Sequence, residues 1–105
     1  MSRLAFEFSV PAGHPSLAGH FPGNPVVPGV LLLDHVLHAL EQSTGRSVTR
    51  LRQVRFVAPL FPGEVAQGYW ELADPLASFR VCAQRGGAPV KVAEGDATLS
   101  GERVR

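Results

Sequence analysis

Four histidines, nine acidic residues and a single cysteine supply most of the proton-transfer and metal-binding chemistry open to this chain. One histidine is set apart by its surroundings. His20 lies in GHFPGNPVVPGVLLLD, residues 19–34, where three prolines and three glycines stand around it and an apolar run ends on Asp34. An imidazole with an unperturbed pKa of about 6.5 is substantially neutral at pH 7 and can accept a proton. Asp34, with an ordinary pKa of about 3.9, is ionised unless burial among Leu31, Leu33 and Leu37 raises it. Taken by itself, an acid on a helical polar seam is ordinarily solvated or salt-bridged. His14, His35 and His38 invite a metal reading together with Asp34, but there is no H-x-x-x-H spacing and no cysteine pair, so no metal is expected. Cys82 has no internal disulfide partner and is expected to act as a small, half-buried hydrophobe.

The elements that must position these groups follow from periodicity. Residues 3–10, RLAFEFSV, place Leu4, Phe6 and Phe8 at period two, which predicts a strand with one buried face, ended by Pro11. Residues 11–28 hold five of the nine prolines, and a connection that long suggests binding or catalysis. Pro28 suits the start of a helix running from about Gly29 to Gln42, with Gly45 as its stop. Val30, Leu31, Leu32, Leu33, Val36, Leu37, Ala39 and Leu40 occupy most of the circumference, so this helix is expected to be buried on nearly all sides. Asp34, His38 and Glu41 form its polar seam, with His35 and Gln42 beside them. Strands are expected over 48–58, 65–72, 77–84 and 89–99, with a hairpin at Arg85-Gly86-Gly87. The fold class is therefore α+β: an antiparallel sheet of about five strands curved around one long central helix.

Composition narrows the function classes. At 105 residues the chain is read as one domain, 1–105, with enough apolar content for one modest core and something to gain from association. A net charge of +1 argues against general nucleic-acid binding. No apolar stretch approaches the roughly 18 residues that a membrane span requires, and MSRLAFEFSV offers no signal-peptide core, so a soluble, cytoplasmic protein without membrane insertion is expected. Arg46, Arg50, Arg52 and Arg55 form a local basic cluster that suits either solvated strand surface or the docking of an acidic partner. Tyr69 and Trp70 are read as sheet packing.

His20 to Gly29 matches, position by position, a His-Phe-Pro-Gly-x-Pro-x-x-Pro-Gly loop, and 54–64, VRFVAPLFPGE, matches a strand end followed by Pro and then Pro-Gly-Glu. In both the chain resembles the 3-hydroxyacyl-acyl-carrier-protein dehydratases of the FabZ and FabA type. The run VPAGHPSLAGHFPGNPVVPGVLLLD looks most like the small ApeI-like dehydratases linked to aryl-polyene synthesis. The resemblance implies a hot-dog fold and removal of water from a carrier-bound 3-hydroxyacyl thioester, giving the trans-2-enoyl product, in fatty-acid, aryl-polyene or polyketide-type lipid biosynthesis. It implies no cofactor, the substrate riding on the phosphopantetheine arm of an acyl carrier protein.

It also implies residue roles. His20 is the base for the C2 proton, its other ring nitrogen donating to the carbonyl of Val26, and the family acid falls fourteen residues on, at Asp34. Gly29 N–H meets the thioester oxygen at the positive end of the helix. Phe21 belongs to the same substrate-side loop. His38 stands where the family usually has a Gln that holds the departing water, which leaves the site's proton inventory open. A homodimer is implied, with sites shared between subunits; a higher oligomer or a heterodimer with a second hot-dog subunit stays open. A hot-dog acyl thioesterase and a non-catalytic, carrier-binding partner subunit are the rival readings.

Overall fold

The computed structural model describes residues 3–14 and 26–103. Its elements are β1 (Arg3–Phe8), α1 (Gly29–Thr44), β2 (Arg46–Phe56), β3 (Ala66–Ala73), β4 (Leu76–Arg85) and β5 (Ala88–Arg103). The five strands form one sheet in the order β1-β3-β4-β5-β2, with every neighbouring pair antiparallel. The α+β class and the strand count agree with expectation, and the hairpin does too. Gly86 and Gly87 take φ of 62° and 80°, the left-handed pair that a two-residue turn between Arg85 and Ala88 requires.

Alternation along the strands puts Ala77, Phe79, Val81 and Ala83 of β4 in the core and Ser78 and Arg80 on the outer face. The core joins them to Val10, Val27, Leu60, Val92, Ala93, Ala97 and Leu99, with Phe6, Phe8, Val54 and Trp70 packed around. Phe6 sits opposite Gly68 and lays its ring over it, where an added Cβ would come within 1.9 Å of the ring. That glycine is what lets the Phe6 ring lie across β3.

The helix starts at Gly29 as expected and runs to Thr44, a modest length for a helix called long, and the expectation that it is buried on nearly all sides is corrected. α1 has sixteen residues, and its fully buried positions are Leu32, Val36 and Leu40, a single i, i+4, i+8 stripe. Leu31, Leu33, Leu37 and Ala39 are half-buried, and Val30 is 74% exposed. The physical reason is the sheet's geometry. The strands that approach the α1 backbone most closely are β1 and β2, the two edges of the sheet, so the sheet curls around one flank of the helix. No described element covers the other flank.

The C-terminal end of α1 is fixed by one backbone and one side-chain contact, both to Glu41. Gly45, at φ 68°, closes the helix with its N–H donating to the Glu41 carbonyl at 2.9 Å. Glu41 leaves the expected polar seam and accepts the Val48 N–H at 2.9 Å, tying the end of α1 to the start of β2.

Candidate functional site

The stretch preceding α1 is anchored by backbone. Val27, 6% exposed, donates its N–H to the Leu60 carbonyl at 2.8 Å, and Pro28 follows in an extended conformation, with φ −59° and ψ 141°. Among the described residues no side chain caps the helix at Pro28, which leaves its first-turn N–H groups, beginning with Gly29, without intrahelical partners at the positive end of the dipole. Beside them lies an apolar groove of about 510 Å³ lined by Val27, Gly29, Leu33, Phe56, Val57 and Leu60. Gly29 lies close under the Phe56 ring: a Cβ there would stand 2.7 Å from it and push that half-exposed wall of the groove aside.

Asp34 and His38 are exposed, one turn apart, on the flank of α1 that also bears Val30. They are brought together as a pair. Burial among Leu31, Leu33 and Leu37, one of the two situations open to Asp34 from sequence, is not what surrounds it in the single chain. His35 turns away from them and stacks on Phe8, with ring centroids 4.3 Å apart and planes 3° from parallel. Burial lowers its pKa from 6.5; Asp34 opposes the shift, while His14 and His38 add to it. Val26 is half-buried, next to the anchored Val27. His20 and Phe21 lie outside the described residues, as does the expected contact between His20 and the Val26 carbonyl. Among the described residues, no three His, Cys, Asp or Glu side chains are grouped to hold a metal ion.

Of the basic cluster, Arg46 is diverted into structure, bonding the Asp74 carboxylate and the Ser100 carbonyl, while Arg50, Arg52 and Arg55 are exposed on β2. A larger hollow, about 1080 Å³, lies on the sheet face turned away from α1, among Arg55, Tyr69, Arg80 and Glu94. Its position separates it from Asp34 and Gly29. Sequence reasoning missed Phe56 and Leu60 as walls of the groove. The one available signal was that both lie inside the second motif, VRFVAPLFPGE, residues 54–64.

Comparison with known proteins agrees with this geometry. The family model described as ApeI-like, ApeI dehydratase, matches residues 1–93. The 3-hydroxyacyl-[acyl-carrier-protein] dehydratase FabZ of Nitratidesulfovibrio vulgaris is 36% identical over 67 residues, which are 53% of this chain and 44% of the relative. The chain thus spans under half the length of that curated relative. Among solved structures, the dehydratase heterocomplex ApeI:P from Xenorhabdus doucetiae superposes with a TM-score of 0.73 at 25% identity, covering 89% of this chain and 82% of that one. A protein from Erwinia carotovora subsp. atroseptica shares the fold with a TM-score of 0.76 at 22% identity, covering 90% and 79%. With the family match running from the first strand into β5, and with the helix and sheet arranged as such a match requires, the chain belongs to the ApeI-like family of hot-dog dehydratases.

Proposed function

We propose that this protein removes water from a 3-hydroxyacyl thioester carried on an acyl carrier protein, giving the trans-2-enoyl thioester. The observation that carries the reading is the juxtaposition at the start of α1, where the first-turn backbone at Gly29 lines an apolar groove about one turn from an exposed acid, Asp34, in a chain of the dehydratase family. In this reading His20 takes the C2 proton, and the electron pair of that C–H bond forms the C2–C3 double bond. The C3–O bond breaks, and the hydroxyl leaves as water on taking a proton from the Asp34 carboxyl, which is left as the carboxylate. The Gly29 N–H stabilises negative charge on the thioester oxygen as it develops. Asp34 meets the leaving hydroxyl, and His38, one turn on, is close enough along the helix to share that task. The groove takes the first part of the acyl chain.

The same reading makes the working unit a dimer. Val30, Phe56 and Val57 are exposed at 74%, 54% and 49%, beside β2, which is an edge of the sheet. A sheet edge flanked by exposed apolar groups is suited to pairing with a second hot-dog subunit, a second copy of this chain in our reading. The Xenorhabdus neighbour, itself a heterocomplex, supports association of this kind. Arg50, Arg52 and Arg55 give an acidic carrier protein a docking surface on the same strand.

The test is incubation with defined 3-hydroxyacyl carrier proteins, followed by mass spectrometry of the phosphopantetheine arm. Loss of one water from the arm is the expected result. Release of free carrier thiol would assign a thioesterase instead, and an unchanged arm would leave a binding subunit without turnover; either overturns the proposal.

A further inference from the structure

Among the described residues and outside the catalytic groups, the most heavily bonded charged pair is Glu64 with Arg85, which joins the turn after β2 to the β4–β5 hairpin. Arg85 Nε donates to Glu64 Oε2 at 2.7 Å and Arg85 Nη2 donates to Oε1 at 2.7 Å, a two-pronged pairing. Glu64 Oε1 also accepts the Phe61 N–H at 2.9 Å, and Arg85 Nη2 also donates to the Pro59 carbonyl at 3.0 Å. The guanidinium lies 5.0 Å from the centroid of the Phe61 ring. Every residue from Pro59 to Glu64 is thereby bonded to this pair or lies between residues that are. Between Pro59 and Phe61 lies Leu60, 2% exposed, whose carbonyl accepts the Val27 N–H.

We propose that Arg85 and Glu64 are positioning residues for the reaction: they fix the Leu60 carbonyl, which through Val27 sets the register of Pro28 and Gly29 at the start of α1. This rests on the dehydratase reading given above. A solvated ion pair adds little to stability. This one instead holds the Pro59 carbonyl and the Phe61 N–H, which flank the Leu60 carbonyl on either side, and that carbonyl accepts from the segment joining the proline-rich loop to the helix. Misplacing a catalytic donor by about 1 Å can cost roughly 10²-fold in rate, so the pair acts on kcat without touching substrate.

Arg85→Ala, Arg85→Lys and Glu64→Gln are compared with wild type by turnover and by amide hydrogen exchange. The expected result for Arg85→Ala is a tenfold or larger fall in kcat, with KM within about threefold, since the loss is in transition-state geometry. Arg85→Lys, which keeps the charge but not the two-pronged geometry, recovers part of the loss. Glu64→Gln retains an acceptor for the Phe61 N–H and guards against a variant that merely fails to fold. In Arg85→Ala and Glu64→Gln the Val27 amide should exchange at least tenfold faster, while Val81 in the centre of β4 keeps its wild-type rate. Asp74→Ala, which breaks the Arg46 ion pair elsewhere, should leave Val27 unchanged. Unchanged Val27 exchange in Arg85→Ala, or a uniform rise at Val27 and Val81 together, overturns the positioning role whether or not the wild type is active. An inactive wild type with the local Val27 effect intact would overturn the dehydratase reading alone.

Discussion

Along one flank of α1, Leu32, Val36 and Leu40 are buried at 3%, 0% and 1% exposure, while on the opposite flank Val30, Asp34 and His38 face solvent at the same four-residue spacing. Both stripes belong to one helix, and each contains an apolar residue in its first turn. Val30, 74% exposed, shows that burial follows what the sheet can reach as well as hydropathy. The buried stripe is settled inside this chain. The exposed stripe bears the proposed chemistry and is the flank that a second subunit would have to complete.

The contrast can be broken from either side. Leu40→Ala removes the last residue of the buried stripe and should cost about 2–5 kcal/mol of stability by leaving a cavity; equilibrium denaturation measures it, and a loss under about 1 kcal/mol would show that this flank is not the structural one. Asp34→Asn should leave the denaturation midpoint where it is. Its rate of dehydration should fall by roughly 10²-fold or more, as for loss of a general acid. A change below about threefold would reduce Asp34 to orienting the leaving hydroxyl.

The smallest effect is expected at the boundary between the flanks, where His35 stacks on Phe8. Its folded-state pKa is lowered by burial, and the charged or titratable groups acting on it are Asp34, His14 and His38. Below the unfolded value of 6.5 the unfolded chain therefore binds the proton more readily than the folded one. Stability falls as the pH drops through that value and levels off below the folded pKa. His35→Gln should flatten this limb of the stability-against-pH curve. An identical limb in the variant would assign it to another group.

The parts of this fold that were legible in sequence are those set by local rules. Gly86 and Gly87 mark a turn because only their positive φ closes it, and Gly45 ends the helix for the same reason. Period-two alternation located all five strands within a few residues, although β5 runs on to Arg103 because its partner β2 begins at Arg46, directly opposite. What was not legible depends on contacts between distant residues. Glu64 and Arg85 are 21 positions apart, and neither has a neighbour in sequence that announces the other. Phe56 over Gly29, and Arg46 drawn to Asp74, belong to the same class. The helix was misjudged because counting apolar residues around a circle says nothing of which neighbours are present to cover them. Of the site, Asp34, His38, Gly29 and Val26 could be located in the fold, while His20 and Phe21 lie outside the described residues.

The most direct test is subunit exchange between two inactive proteins, His20→Ala and Asp34→Ala. If each site takes its histidine from one subunit and its acid from the exposed stripe of the other, a mixed dimer contains one site lacking both groups and one with both intact. Random exchange makes about half of the dimers mixed, so roughly a quarter of wild-type dehydratase activity should return in a two-fold symmetric assembly. No recovered activity, once native mass spectrometry had shown that mixed dimers formed, would contradict a site completed by the second subunit.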